Sequence, residues 1–173
     1  MGNWIFIAPI VGVIALIFAF FLSKKVSREE AGTDRMKEIA EAISDGAHAF
    51  LTAEYRILVI FIVVLFVLIA VGIGVGSGIA FVAGTLCSIL AGYFGMSVAT
   101  KANVRTANAA RTSGMNRALS IAFSGGAVMG MSVVGLGLLG VSIVYMVTGD
   151  TNILFGFSLG ASSVALFSRV GGG

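Results

Sequence analysis

The sequence predicts an all-α polytopic membrane protein with about five transmembrane helices and one cytoplasmic amphipathic helix. Soluble domains carry about 25% charged residues, whereas this chain of 173 residues is 11% charged and 58% hydrophobic, with a mean hydropathy of +1.05. A helix needs about 20 mostly apolar residues to cross the hydrocarbon core. Four segments of suitable length contain no Asp, Glu, Lys, Arg or His: residues 4–23, 57–100, 118–149 and 151–168.

The segment 57–100 is about twice as long as one span requires. It contains four glycines at alternate positions, 72, 74, 76 and 78. Because glycine permits a tight turn, we divide this segment into two spans. The chain then forms a single transmembrane region, with predicted spans near residues 4–23, 57–75, 79–99, 118–147 and 153–169.

Between the first two spans, residues 33–50 carry the pattern of an amphipathic helix. Thr33 followed by Asp34 is typical of an N-cap with an acidic first turn. Apolar and charged residues then alternate at helical spacing, so that each kind occupies its own face. The apolar residues are Met36, Ile39, Ile43, Ala47 and Phe50, and the charged ones are Lys37, Glu38, Glu41 and Asp45. This helix either docks on a membrane or another surface, or packs on its own protein as an extension of the second span, which we favour.

The basic residues indicate how the chain is oriented in a membrane. They form two clusters: Lys24, Lys25, Arg28, Arg35, Lys37 and Arg56, and then Lys101, Arg105, Arg111 and Arg117. Cytoplasmic loops are the ones enriched in Lys and Arg. We therefore predict that the N-terminus lies outside, that both basic loops, including Gly32 and Asn108, are cytoplasmic, and that Asp150 is external. The same bias accounts for the formal charge of +3, so we expect no nucleic-acid partner.

Small residues recur at intervals of four in the last three spans. The stripes are Gly84, Ser88 and Gly92; Ala91, Gly95 and Ala99; Gly126 and Gly130; and Gly156 and Gly160. In lipid, such stripes let helix backbones approach closely and gain dispersion contacts. They indicate packing rather than chemistry. Their density predicts that spans three to five are buried among other helices more than they are exposed to lipid.

Few residues in the chain offer catalytic chemistry. His48 is the only histidine, which leaves no histidine cluster for a metal or for acid–base work. Snorkelling at the membrane interface explains Glu54 and Arg56 at the entrance to the second span, and Asp150 lies in an ordinary turn. The sequence contains no phosphate-binding loop, catalytic triad or zinc-ligand spacing. We predict no catalytic, substrate-binding or metal-binding residue in this chain.

Arg169 differs from the other basic residues because it follows an apolar stretch directly. An arginine inside a membrane helix costs about 2.5–3.5 kcal/mol on insertion scales unless it is paired or hydrated. The residues alone leave two interpretations open. Arg169 is either an interfacial anchor of the fifth helix or a functional group within the bundle.

Four segments resemble the membrane-bound, ion-translocating inorganic pyrophosphatases. They are GTDRMKEIAEAISDGA at 32–47, GYFGMSVATKANVRTANAAR at 92–111, FSGGAVMG at 123–130 and GASSVALFSRVGGG at 160–173. The segments follow the order of that family and cover nearly the whole chain. The resemblance implies that this chain is the N-terminal portion of a larger helical pump, which would continue into an acidic segment that binds magnesium and pyrophosphate.

For the parent protein, the resemblance implies a membrane-bound inorganic pyrophosphatase that couples hydrolysis to the transport of protons or sodium ions. Mg²⁺ is the implied cofactor and K⁺ a further candidate, with the ligands of both outside this chain. The implied partners are pyrophosphate, the remaining helices, membrane lipid and a second copy in a homodimer. The first four helices would belong to an outer supporting ring and the fifth to the inner ring. Arg169 would be an ion-coupling residue, paired with an acidic residue of a later helix.

Two other classes of protein fit the residues less well. A small membrane scaffold or transporter half, without enzymatic activity, explains five spans with packing stripes but gives Arg169 no role. A proteolipid rotor subunit explains a glycine-rich hairpin with a basic loop. It also requires a carboxylate in the middle of the membrane, and spans two to five contain none.

Overall fold

The computed structural model describes residues 6–172, which form five α-helices joined by short turns. The helices are α1 (Ile7–Arg28), α2 (Asp34–Gly72), α3 (Val75–Thr112), α4 (Met115–Thr148) and α5 (Thr151–Gly172). These residues contain no strand, and all five helices are long and apolar enough to cross a membrane. The predicted all-α polytopic class is confirmed. The start of the predicted first span, at Trp4, lies outside the described residues.

Two of the helices are about twice as long as a membrane span. α2 has 39 residues and α3 has 38. At 1.5 Å per residue each is nearly 60 Å long, against a hydrocarbon core of about 30 Å. Both helices therefore project beyond the membrane, at the end of the bundle that carries the basic residues.

The predicted amphipathic helix and the second span form one continuous helix, α2. Its N-cap is the predicted one, since the Thr33 hydroxyl accepts a hydrogen bond from the Met36 backbone N–H at 3.4 Å. The projecting half of α2 lies against α3, with a small cleft between Ala40 and Ser44 on one side and Val104 on the other. Met36 and Ala47 of the predicted apolar face are half-buried, whereas Ile39 and Ile43 are exposed, so only part of that face packs on the protein.

The segment that we treated as the second basic loop is largely helical. α3 continues to Thr112 and α4 begins at Met115, so that only two residues connect them. Ala102 and Ala109 of this extension are buried, and Ala109 packs in a small cluster with Ala118 and Ile121 of α4. Hydropathy marks where the chain leaves the membrane but not where a helix ends. The alanines, which favour helix strongly, continue it beyond that point.

The break between the second and third spans occupies two residues, Ile73 and Gly74. Gly74 has φ +144°, a backbone conformation that only glycine adopts without strain. The other predicted turn glycines, Gly72, Gly76 and Gly78, are all helical. One glycine is therefore enough to reverse the chain.

The centre of the bundle is α3, which packs against α2, α4 and α5, while α1 packs mainly on α4. The contact between α3 and α5 is made by glycines, as predicted. A Cβ atom added at Gly84 would collide with the Phe157 carbonyl oxygen, and one at Gly160 would collide with the Phe81 carbonyl oxygen. The two backbones are therefore in direct contact, the arrangement that small residues permit in lipid.

One expectation about packing is wrong within the described residues. A Cβ atom added at Gly92, Gly126 or Gly130 would meet nothing within 4 Å, and α4 packs instead through Gly125 and Gly135. In the most apolar 18-residue window of each helix, 33% of α3 and 22% of α4 and of α5 is buried. The other residues of these spans are partly half-buried and partly exposed, so the burial of spans three to five among other helices stays a prediction.

Candidate functional site

Arg169 lies in the last turn of α5 and its side chain is exposed. The packed face of α5 is marked by Gly160 and the buried Val164. At 3.6 residues per turn, Arg169 is about 140° around the helix from Val164 and about 180° from Gly160. The arginine therefore points away from the contact with α3. Among residues 6–171, Arg169 forms no ion pair.

Arg105 of α3 differs from Arg169, because it binds the end of α1 and the segment that connects α1 to α2. The Arg105 guanidinium donates hydrogen bonds to three backbone carbonyls, and thereby joins the end of α1 to α3. Its acceptors are Glu29 at 3.0 Å, Lys101 at 2.8 Å and Ser27 at 3.4 Å. A basic residue that the sequence explained by membrane orientation alone thus also holds two helices together.

Two further side chains complete this contact. Arg117 of α4 forms an ion pair with Glu29, with 2.6 Å between its Nη2 and the Glu29 Oε1. Asn108 is buried and donates to the Glu30 carbonyl oxygen at 3.2 Å, while its own Oδ1 accepts from Arg111 at 3.2 Å. We call Arg105, Asn108 and Arg117, with the carbonyls and carboxylate that they bind, the connector clamp.

Glu54 does not snorkel into water as predicted. Its side chain is 8% exposed, and neither carboxylate oxygen has a hydrogen-bond partner among the described residues. A snorkelling side chain would instead carry its charge into water. The signal was present in the spacing: Glu54 lies three residues after Leu51 and four before Leu58, both of which are buried. Helical periodicity places all three on one side of α2.

Glu54 forms part of the wall of an apolar groove between α2 and α5. The groove has a volume of about 480 Å³. Its lining comprises Phe50, Ala53, Glu54 and Ile57 of α2, and Leu166, Phe167, Val170 and Gly171 of α5. Phe167 of this lining also contacts Phe61 of α2, with the two ring centroids 5.1 Å apart. A carboxylate without a partner and an open apolar groove therefore occur at the same place.

The remaining candidate residues have ordinary structural surroundings. His48 is exposed, with its ring centroid 6.3 Å from that of Tyr93, and Arg56 is exposed. Asp150 accepts the Asn152 backbone N–H at 2.8 Å, as a turn residue does. Among the described residues, no three His, Cys, Asp or Glu side chains are close enough to hold a metal ion together.

These helices define a polytopic membrane protein with charged groups at the edge of its helical bundle. A family profile described as "Inorganic H+ pyrophosphatase" matches residues 13–173. The chain belongs to this family, and it is a multi-pass membrane protein.

Three relatives illustrate the range of the family. The chain is 58% identical over 174 residues to a protein of Clostridium tetani named as a candidate K(+)-stimulated pyrophosphate-energized sodium pump. It is 48% identical over 175 residues to a K(+)-insensitive pyrophosphate-energized proton pump of Methanosarcina mazei. It is 38% identical over 187 residues to a K(+)-stimulated pyrophosphate-energized sodium pump of Thermotoga maritima. The alignments cover 100%, 100% and 95% of this chain, but only 26% of each relative.

Proposed function

We propose that this chain is the N-terminal quarter of a pyrophosphate-energised ion pump. The observation that carries the proposal is the unequal coverage of the alignments. They cover 100% of this chain but only 26% of each pump. The parent protein would hydrolyse pyrophosphate at the cytoplasmic face and use the reaction to move protons or sodium ions outward. Relatives of both kinds are similar to this chain, so the transported ion is one of these two.

The catalytic step of the parent is assigned to the segments that follow this chain. Phosphoryl transfer depends on metal ions that neutralise the charge developing on the phosphate oxygens. Mg²⁺ would supply that chemistry, and we assign its carboxylate ligands to the later segments; the described residues here contain no group of three possible metal ligands. Dependence on K⁺, named for some relatives and denied for others, belongs to the same segments.

The contribution of this chain would be mechanical and electrostatic. Helices α1 to α4 would form part of an outer supporting ring, and α5 would line the ion path. Arg169 is exposed on the side of α5 opposite to α3 and has no ion pair in the described residues. An arginine in that position favours a carboxylate partner from a later helix, and we assign it to ion coupling. The parent would work as a homodimer in the membrane.

The proposed orientation places the N-terminus outside and the connector clamp in the cytoplasm. Single cysteines can test this in a parent protein that carries Cys87→Ala. Asn108 is buried and would label poorly, so the exposed positions Ser113 and Thr148 are better sites. An impermeant maleimide should label Thr148→Cys in intact cells, and Ser113→Cys only after lysis. The reverse pattern would overturn the orientation.

The function itself is tested by comparing the parent protein with residues 1–173 alone. Vesicles that contain the parent should release phosphate from pyrophosphate and accumulate H⁺ or Na⁺, whereas the fragment should release none above a detergent blank. Phosphate release by the fragment would place the active site within this chain. A parent that does not hydrolyse pyrophosphate would favour the alternative of a membrane scaffold or transporter half.

A further inference from the structure

The apolar groove between α2 and α5 continues along α2 as a stripe that reaches beyond the membrane. Ile39, Ile43, Phe50 and Ile57 are separated by four, seven and seven residues. At 3.6 residues per turn these side chains lie within about 40° of one another, along about 27 Å of helix. Ile39 is 48% exposed, Ile43 42% and Ile57 58%. A Cβ atom added at Gly46, on the same line, would meet nothing within 4 Å.

The position of this stripe argues against lipid as its cover. Its outer half belongs to a turn-by-turn amphipathic part of α2, which carries Lys37, Glu38, Glu41 and Asp45 on the opposite face and has left the apolar segment of the sequence. A surface helix lying in the headgroup region would run along the membrane plane. Here the same helix continues without a break into the second span, so the stripe leaves the membrane rather than lying on it.

Glu54 indicates the chemistry of whatever covers the groove. The groove lining is apolar, so the methylene groups of Glu54 form the wall and its two oxygens lie buried behind them. A buried carboxylate without a partner is strongly unfavourable, whereas a paired one is tolerated. A hydrocarbon chain cannot donate a hydrogen bond to it. A lysine or arginine can, provided that rotation about the Glu54 side-chain bonds turns the carboxylate toward the groove.

We infer that the stripe from Ile39 to Ile57 and the groove beside it form the docking surface for one long helix of the parent protein, which carries a basic side chain that pairs with Glu54. This inference rests on the proposed function, because the helix comes from the three quarters of the relatives that this chain does not match. That helix runs alongside α2 from the cytoplasm into the membrane. It fills the groove against Leu166 and Val170, and so holds α5 from the side opposite to α4.

Site-specific photocrosslinking in the full-length parent tests the position of this helix. p-Benzoylphenylalanine is placed at Ile43 or at Ile57, and the matched control is Val59. Ile57 and Val59 are 58% and 57% exposed, but two residues separate them by about 200° around α2. Mass spectrometry of the crosslinked peptides should find one helix C-terminal to residue 173 at both Ile43 and Ile57, and not at Val59. Adducts to lipid alone, to a second copy of the chain, or to the same helix at Val59 would each overturn the inference.

The basic partner is tested by a double-mutant cycle once the crosslinked helix is identified. Glu54→Gln keeps the shape of the side chain but removes its charge, and should lower the melting temperature of the parent, whereas Glu38→Gln on the exposed part of α2 should not. The second substitution puts Met in place of the Lys or Arg that lies level with Glu54 on the crosslinked helix. Added to Glu54→Gln, it should restore at least half of the lost melting temperature. If the Glu54→Gln parent has the same melting temperature as the original protein, Glu54 has no basic partner.

These measurements can reject the docking surface without rejecting the proposed function, and the reverse. Crosslinking and melting require an assembled parent but no catalytic turnover. A parent that hydrolyses pyrophosphate without capture at Ile57 leaves the pump assignment intact and rejects the docking surface. A parent that gives the expected crosslinks but does not hydrolyse pyrophosphate supports the docking surface and rejects the pump assignment.

Discussion

The connector clamp and the groove beside Glu54 lie at the same end of the bundle, yet they differ in how their polar groups are satisfied. In the clamp, Arg105 donates to three carbonyls and Arg117 pairs with Glu29. Across the bundle, the oxygens of Glu54 have no partner among the described residues, and Arg169 forms no ion pair there.

The difference shows which parts of the chain are complete by themselves. Buried polar groups in native proteins are almost always paired. In the connector clamp, the polar groups find their partners within this chain. A region that leaves a carboxylate buried and unpaired, next to an apolar groove, is the one where we propose that a further helix of the parent protein packs. Whether the polar groups are paired thus distinguishes the connector clamp from the groove beside Glu54.

The largest expected effect concerns the glycine contact that positions α5, and with it one wall of the groove. Gly84→Ala would place a methyl group against the Phe157 carbonyl oxygen, and a backbone atom cannot move aside cheaply. We expect the free energy of unfolding of the parent to fall by about 3 kcal/mol, the upper part of the usual range for overpacking. Denaturant or thermal unfolding of the purified parent measures the loss.

Gly92→Ala on the same helix is the matched control. Nothing lies within 4 Å of its added methyl group, and alanine favours helix over glycine by up to about 1 kcal/mol. This variant should melt at the same temperature as the parent or slightly higher. Equal destabilisation by the two substitutions would contradict the close contact between α3 and α5.

A smaller effect is expected in the clamp. Arg105→Ala removes three charge-assisted hydrogen bonds to carbonyls, but the site is partly open to water, which can replace them. We expect a loss of about 1–2 kcal/mol in unfolding free energy, with Arg105→Lys intermediate because lysine lacks the planar fork. Faster hydrogen exchange in residues 27–33 would locate the loss at the connector. Unchanged exchange there would show that Arg105 does not hold it.

The smallest effect is expected for the ion pair between Glu29 and Arg117. The Arg117 side chain is 51% exposed and that of Glu29 is 20% exposed, and pairs of this kind contribute about 1 kcal/mol or less. Arg117→Ala should therefore shift the melting temperature only slightly, and the shift should shrink at high salt. Exchange of the two charges, Glu29→Arg with Arg117→Glu, should restore most of the loss. A double variant that is worse than either single one would mean that no pairing occurs.

Much of the fold could be predicted because hydropathy and glycine placement are local signals. The number of helices, the cap at Thr33, the break at Gly74 and the close contact at Gly160 all follow from residues near one another in sequence. The helical continuation through Ala102 and Ala109 could not be predicted in this way, because charge marks the edge of the membrane and says nothing about the end of a helix.

The candidate site was predicted only in part. Arg169 stands out because a charge next to an apolar segment is unusual. Glu54 was missed because its neighbours, Tyr55 and Arg56, are typical of a membrane interface, and its burial comes from contacts with another helix. Only the spacing from Leu51 and Leu58 pointed to the buried face, and that signal was weaker than the composition around it.

The central claim is that Arg169 couples hydrolysis to transport, and one paired measurement tests it. Vesicles with the full-length parent are assayed for pyrophosphate-driven ion uptake and for phosphate release from the same preparation. If Arg169 pairs with a carboxylate of a later helix, its planar fork matters. Arg169→Lys and Arg169→Ala should then reduce uptake on the order of tenfold, the effect of about 1.4 kcal/mol on a barrier. Hydrolysis should fall no further than uptake does, and membrane insertion should persist. An Arg169→Lys parent that transports and hydrolyses like the original protein would contradict the coupling role and leave Arg169 as an interfacial anchor.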